Sequence, residues 1–274
     1  MWHGTASSDC HCGPPVPGFG EGGAMTHVRI ITPIITKGFR DAEAIDSLAP
    51  DGVVLSQVTL ERGPASVESA VDEVLAGPGV VDAACRAEAD GVDAVVIDCM
   101  LDPALVAARE AVSIPVIGCG EAGITKAAEF GRFSVVTVLQ RQEHAFQRLA
   151  AGLSLSARLA SVVGIGMSVL ALEKSRENAI SATVEAGRLA RDRDGAGSIV
   201  FGCTGMLGYG ADTADALGWP ASRVIDPLEN AVAAAVQAVR AGQKPDKERF
   251  PFPERKPVSG FDAWTDLNGI MRPI

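Results

Sequence analysis

Two cysteines in this chain stand where buried strands run out. In "AVVIDCMLDP" Cys99 follows a continuous apolar run, and in "SIVFGCTGM" Cys203 does the same. In open α/β sheets ligands bind beyond the carboxyl ends of the strands, where unpaired backbone N–H groups and the positive end of a helix dipole await them. Such surroundings are expected to lower a thiol's pKa and to supply donors for an enolate. If two cysteines approach one ligand from opposite sides, a thiolate removes the proton next to a carbonyl and the opposite thiol returns one to the other face. That is racemase chemistry, and the two sulfurs titrate as a coupled pair.

The elements that would position these cysteines form a regular series. From Met25 onward, apolar β-branched runs occur at 27–35, 53–60, 93–98, 114–119, 132–139, 160–170, 197–203 and, more weakly, 222–226. Amphipathic segments lie between most of them, such as "SVESAVDEVLAG", "GEAGITKAAEFG" and "PLENAVAAAVQAVRAG". Short apolar runs alternating with helical patterns predict an α/β fold with parallel sheets covered on both faces. The recurrence of a strand ending in Cys points to duplication, with two α/β halves meeting at a cleft.

Composition narrows the partners. The 274 residues are 47% hydrophobic with a formal net charge of −10, and no cluster of Lys and Arg is visible. A globular chain with a sizeable core and a small-molecule ligand is expected, with no nucleic-acid backbone as partner. No apolar run reaches the roughly 20 residues of a membrane span, and no basic-then-apolar signal pattern opens the chain. Cytoplasmic location is expected, with the cysteines as thiols. Cys10 and Cys12 lie in a Gly/Pro/Ser-rich leader, where the Cys-His-Cys run lacks the second pair of ligands a zinc site needs. Cys85 has helical spacing and reads as a packed hydrophobe.

The segments "VVIDCMLDPALVAARE", "IPVIGCGEAG", "GRFSVVTVL" and "IVFGCTGM", with "GPASVESAVDEVLAGP" upstream, resemble the hydantoin racemase group of the aspartate/glutamate racemase superfamily. The likeness is collinear from about residue 28 to 241. It implies two flavodoxin-like domains related by a pseudo-twofold, an active site in the cleft between them, no cofactor and no metal. Residues 25–120 with 222–241 would form the first domain and 121–221 the second, between a disordered leader at 1–24 and an extended tail at 242–274. Carried over by position, Cys99 and Cys203 match the two catalytic cysteines. Gly202, Thr204 and Gly205 match the turn that offers donors to substrate, and Thr137 and Glu121 fall at cleft positions.

The chain also departs from the group. Its first loop reads Thr32-Pro33-Ile34-Ile35-Thr36 where the resemblance leads one to expect an amide-rich substrate loop, so Pro33 and Thr36 stand in substrate-contacting places. Met100-Leu101 replaces the more familiar Phe-Gly, and Asp98 precedes Cys99 where a small or neutral residue is usual. Strand alternation would turn Asp98 away from the cleft. The less polar loop and Met100 point to an apolar substituent on the substrate. The resulting expectation is a cofactor-independent racemase of 5-substituted hydantoins or related cyclic ureides, self-associating into a homo-oligomer. A maleate-type isomerase, an arylmalonate-type decarboxylase and a non-catalytic binder that kept the cleft are the alternatives. Cys119 is expected to be a packed thiol and His144 a solvated residue. Glu121 and Thr137 are balanced between substrate contact and local capping.

Overall fold

A computed structural model describes residues 25–254, 256, 259 and 260. The leader with Cys10 and Cys12, and most of the tail's end, lie outside the described residues. The first half contains β1 (Thr26–Thr32), α1 (Ala42–Asp46), β2 (Val53–Thr59), α2 (Ala70–Ala89), β3 (Ala94–Ile97), α3 (Leu105–Ala111) and β4 (Val116–Gly118). After α4 (Cys119–Ala128), the second half contains β5 (Phe133–Thr137), α5 (Glu143–Gly152), β6 (Leu159–Gly164), α6 (Val169–Leu172), α7 (Arg176–Asp192), β7 (Ser198–Phe201), α8 (Gly210–Leu217) and β8 (Val224–Ile225). Helix α9 (Pro227–Arg240) closes the fold.

All strand pairings are parallel, in the orders β2-β1-β3-β4 and β6-β5-β7-β8. The two orders are the same arrangement displaced by four strands, so β1 corresponds to β5 and β3 to β7. In each sheet the chain changes direction of winding beside the first strand, which places the crevice for a ligand beyond the ends of β1 and β3 in one half and of β5 and β7 in the other. The fold is α/β with two sheets flanked by helices, as the alternation of apolar runs predicts.

The inner strands β3, β5 and β7 are buried on both faces, which is why their runs are continuously apolar, whereas the edge strands β2 and β6 are largely half-buried and carry polar residues such as Ser56, Gln57 and Ser161. Helices α2 and α3 cover one face of the first sheet, and α7 and α8 one face of the second. Between the sheets, α4 packs on α9 and on β7, while α9 also touches β1, β3 and β4. One core therefore joins the halves, with Val96, Ile124, Val200 and Val232 in a single buried cluster. Gly123 permits this closeness: a Cβ there would lie 3.0 Å from both Pro227 and Val200 side chains.

Several boundaries differ from those read in the sequence. Val224–Ile225, expected in the first half, pairs with β7 in the second sheet, and only afterwards does α9 return to the first half. The strand expected to run to residue 170 stops at Gly164, where a Cβ would sit 2.3 Å from the Gln140 nitrogen, and Gly166 turns the chain with φ 76°. The segments around "SVESAVDEVLAG" and "VVDAACRAEADG" are one helix, α2, with Pro78 inside it. Ser69 caps its start by accepting the Asp72 N–H at 3.3 Å, and Pro78 forgoes only one backbone donor. The described part of the tail lies on the first half. Lys247 Nζ donates to the carbonyls of Arg109, Glu110 and Val112 at the end of α3. Among the described residues no helix is long and apolar enough to cross a membrane.

Candidate active site

Strand β3 ends at Ile97, but its ladder continues for one bond, from the Asp98 N–H to the Ile31 carbonyl at 2.9 Å. Cys99 then turns back, its N–H donating to Ile97, and Asp102 closes the turn by donating to Cys99 at 3.1 Å. In the other half Gly202 extends the ladder to Val136 at 2.7 Å, and Cys203 caps the short 3-10 turn Thr204–Met206. The Sγ of Cys203 accepts the Gly205 N–H at 3.4 Å. The two turns are joined directly, because Thr204 Oγ1 donates to the Asp98 carbonyl at 3.3 Å. Both cysteines open on one cavity between the halves, with Thr32, Pro33 and Asp98 on one wall and Gln142, Gly202 and Thr204 on another. Ile34, Phe39, Val67, Met100, Leu101 and Val169 make the rest of its lining apolar. The cavity is narrow, with about 30 Å³ of free space between its walls.

Strand register places equivalent residues on the two sides. Ile31 pairs with Ile97 and Val136 with Phe201, so the next pairs are Thr32 with Asp98 and Thr137 with Gly202. Thr32 Oγ1 donates to Asp98 Oδ2 at 3.0 Å. The fully buried Thr137 hydroxyl lies 2.7 Å from Gln142 Oε1 and 3.2 Å from the Gly202 carbonyl, with one proton for the two. Gly202 has no room for a side chain, since a Cβ would stand 2.5 Å from that of Thr137.

Asp98 instead lies buried at the cavity wall, where Arg40 meets it. Nε and Nη2 of the guanidinium donate to Oδ2 and Oδ1 at 2.8 and 2.7 Å, and the side chains are 6% and 0% exposed. Residue 98 belongs to the cavity wall, while its carboxylate is turned to Thr32 and Arg40 and shut off from solvent. Arg40 also lies over the Phe39 ring, 5.0 Å from its centroid.

Burial dominates the thiols. It pushes Cys99 well above its ordinary range, against a backbone N–H from Leu101, with the charges of Cys203, Asp102 and Asp98 opposing ionisation further. Cys203 rises to about 11 through burial, opposed by the Gly205 N–H and then by Arg40. The lowered pKa expected at strand ends is therefore not found: the donors are present, but desolvation outweighs them.

Of the residues singled out in the sequence, Pro33, Asp98, Met100, Gly202 and Thr204 line the cavity with the two cysteines. Gly205 backs Cys203. Thr137 lies beneath the Gly202 turn, and Thr36 lies outside the lining, its hydroxyl donating to Ala65 O at 2.7 Å. Glu121 is not at the cleft. Its carboxylate pairs with Arg109 at 2.8 Å because Asp102 already occupies the start of α4, accepting the Gly120 and Glu121 N–H groups at 2.8 and 2.7 Å. Burial raises Asp102 to about 7. Cys85 and Cys119 are buried and His144 is exposed, as expected. Sequence reasoning missed Arg40, Gln142 and Asp102. None of the three carries a local signal; an acid at the end of an apolar strand calls for a counter-charge but does not say which residue supplies it. Among the described residues no group of three or more His, Cys, Asp or Glu is placed to hold a metal ion.

Comparison with known proteins agrees with this geometry. Residues 40–235 match the family described as Asp/Glu/Hydantoin racemase. Hydantoin racemase of Pseudomonas sp. (strain NS671) is 35% identical over 239 residues, covering 85% of this chain and 94% of that protein. Hydantoin racemase of Paenarthrobacter aurescens is 35% identical over 208 residues, covering 75% of this chain and 87% of its own length. The structure of allantoin racemase from Klebsiella pneumoniae superimposes with a TM-score of 0.81 at 31% identity, covering 89% of this chain and 99% of that one. The chain belongs to the Asp/Glu/hydantoin racemase family, and it is a racemase.

Proposed function

We propose that this racemase acts on 5-substituted hydantoins or closely related cyclic ureides by two-base proton transfer between Cys99 and Cys203. One observation carries the reading: cysteines from equivalent turns of two equivalent sheets open on the same cavity. One sulfur, as thiolate, takes the proton from the ring carbon next to the carbonyl, and the electron pair of the broken C–H bond moves onto the carbonyl oxygen. The other sulfur, as thiol, gives its proton to the opposite face of the planar intermediate. The site is left with the protonation states exchanged, ready for the mirror-image substrate.

The lining supports a ureide with an apolar substituent. Pro33, Ile34, Val67, Met100 and Leu101 offer an apolar wall, while Gln142 and the Thr204 turn offer the few polar groups that orient a ring. Besides the two thiols, the lining holds one ionisable residue, Asp98, and its carboxylate is already paired with Arg40, which suits a substrate without a charged group.

The test is proton NMR of enantiopure 5-benzyl-, 5-isobutyl- and 5-methylthioethyl-hydantoin and of allantoin in D₂O. Wild type is compared with Cys99→Ser, Cys203→Ser and a control without enzyme. The expected result is exchange at the stereocentre with loss of optical rotation, reduced roughly 10²- to 10⁴-fold by either substitution. Exchange in one enantiomer only, in a single-cysteine variant, also fits, because one base remains. No exchange above the spontaneous rate would overturn the substrate assignment and turn the search to linear dicarboxylates.

A further inference from the structure

The cavity between the two cysteines is shut. Its walls leave about 30 Å³, room for a water and not for a five-membered ring, so part of the chain must move aside before a ring can enter. Three of the segments that line it meet at one carboxylate. Val67 lines the cavity from the first half, and the next residue, Glu68, reaches across to the second. Glu68 Oε1 accepts the Val169 N–H at 2.9 Å, and Arg141 Nη2 donates to Oε2 at 3.2 Å. Val169 is itself in the lining, and so is Gln142, the residue after Arg141. We propose that Glu68 is a positioning residue that latches helix α6 as a lid over Cys203, with substrate entering when the latch is released and reacting when it is fastened. This rests on the reading of Cys203 as a reacting base.

Three observations carry it. First, α6 lies over the sulfur. A Cβ at Gly205, the residue that backs Cys203, would stand 3.0 Å from Leu172 Cδ1, 3.3 Å from the sulfur and 3.3 Å from Phe39 Cζ. The end of α6 and the first half's Phe39 therefore close on this thiol together. Second, the two sides of the latch are unequally anchored. The Glu68 N–H donates to Asp72 Oδ2 at 3.0 Å, and Ser69 beside it caps α2, so the carboxylate stands on a long helix of the first half. Helix α6 has four residues, too few to hold a helix by its own bonds, and it follows Gly166, whose φ of 76° turns the chain. Third, the bond to α6 is the stronger arm. It joins a carboxylate to a backbone N–H, and the Glu68 side chain is 14% exposed, whereas the Arg141 arm is 62% exposed and screened by water.

The halves themselves need not part. Helices α4 and α9 join them in one buried core, and Thr204 ties the two cysteine turns to each other. What moves is one short helix. The two side chains it uncovers, Val169 and Leu172, are apolar and buried, which keeps the lid closed when the site is empty.

The test is iodoacetamide labelling of the ligand-free full chain, resolved by peptide mass spectrometry for Cys203, Cys85 and Cys119, in Glu68→Gln and Glu68→Ala. The reagent is larger than the free space, so labelling of Cys203 reports opening. Both variants remove the same charge, but glutamine keeps an oxygen for the Val169 N–H and alanine keeps none. The gap between them therefore reads the lid and not the charge near the thiol. Cys203 is expected to react roughly 5- to 10-fold faster in Glu68→Ala than in Glu68→Gln, the worth of one hydrogen bond. Cys85 and Cys119, buried outside the lining, are expected to keep one rate in both variants. Equal Cys203 rates in the two variants, with circular dichroism confirming the fold, or a parallel rise at all three cysteines would overturn the proposal. Hydrogen exchange of the wild type is a second measurement that needs no variant. The amides of α6 are expected to exchange by local opening, well before those of α7, and exchange of the two helices together would overturn the lid as well. Neither measurement uses a substrate, so the lid stands or fails independently of whether a hydantoin exchanges.

Discussion

Asp98 and Gly202 stand at the same place in the two halves, each one residue beyond its strand and each beside a strand-ending threonine. One carries a buried charge and the other has space only for hydrogen. The difference follows from the neighbours: Thr32 turns its hydroxyl toward the Asp98 carboxylate, while Thr137 fills the place where a side chain at 202 would begin.

Gly202→Ala is therefore expected to be costly although the change is one methyl group. The new Cβ would meet Thr137 Cβ at 2.5 Å and Val135 Cγ1 at 2.8 Å, both in the packed interior. Overpacking of this kind costs roughly 1–3 kcal/mol, and the relief open to the chain is to push the Cys203 turn outward. Thermal unfolding should show the lost stability, and racemisation should fall by more than the folded fraction does. A variant with wild-type activity would mean that the turn moves without disturbing its sulfur.

Thr204→Val tests the bond between the turns. The substitution preserves shape but removes the hydroxyl that donates to the Asp98 carbonyl, leaving a buried acceptor without that partner. A loss of about 1–3 kcal/mol in stability is expected, together with a lower kcat as the two cysteine turns loosen relative to each other. Denaturant unfolding and steady-state kinetics on the same preparation separate the two effects. A stability loss at unchanged kcat would show that packing alone holds the turns in place.

Most of the fold was legible in the sequence, for a physical reason. Strands buried on both faces must be apolar throughout, so β3, β5 and β7 left clear runs, and Cys99 and Cys203 were visible because each breaks such a run at its carboxyl end. What was not legible depends on through-space partners. Arg40 sits in "KGFRDAEA", where nothing local distinguishes it from a solvated arginine, and its role exists only because Asp98 is buried opposite it. Glu121 looked like a cleft residue at the start of a helix, but Asp102 had already taken the backbone donors there. Local pattern also misjudged the thiols. It registers the helix-end donors that lower a pKa, but desolvation depends on how tightly the whole cleft closes.

Those raised thiols predict a steep pH dependence. With burial holding Cys203 up to about 11 and Cys99 well above its ordinary range, only a small thiolate fraction exists near neutrality. Below the lower of the two values that fraction grows about tenfold per pH unit, so kcat/KM should climb with a slope near one between about pH 7 and 9. Initial rates by polarimetry, corrected for spontaneous racemisation, give the profile. A plateau reached by neutral pH would contradict a site that keeps both thiols protonated.

Asp102 predicts a dependence of stability on pH in the opposite sense from an ordinary salt-bridged carboxylate. Burial outweighs the two backbone donors from α4 and raises it to about 7, with repulsion from Glu121 adding and Arg109 opposing. An unfolded aspartate titrates near ~3.9, so between about pH 4 and 7 the folded chain holds a proton that the unfolded chain has released. Stability from this group is then fully present below the unfolded value and is lost as pH rises through about 7. The total is on the order of a few kcal/mol. Asp226, raised to about 6, adds a loss of the same sign. Asp102→Asn keeps one oxygen to accept from Gly120 or Glu121 and removes the titration, leaving the Asp226 contribution in both proteins. Denaturant unfolding at about pH 5, 6.5 and 8 should show the variant gaining on wild type at each step. A difference that stays flat across the window would mean that the helix N-terminus keeps Asp102 ionised throughout, and that the donors outweigh burial at this position.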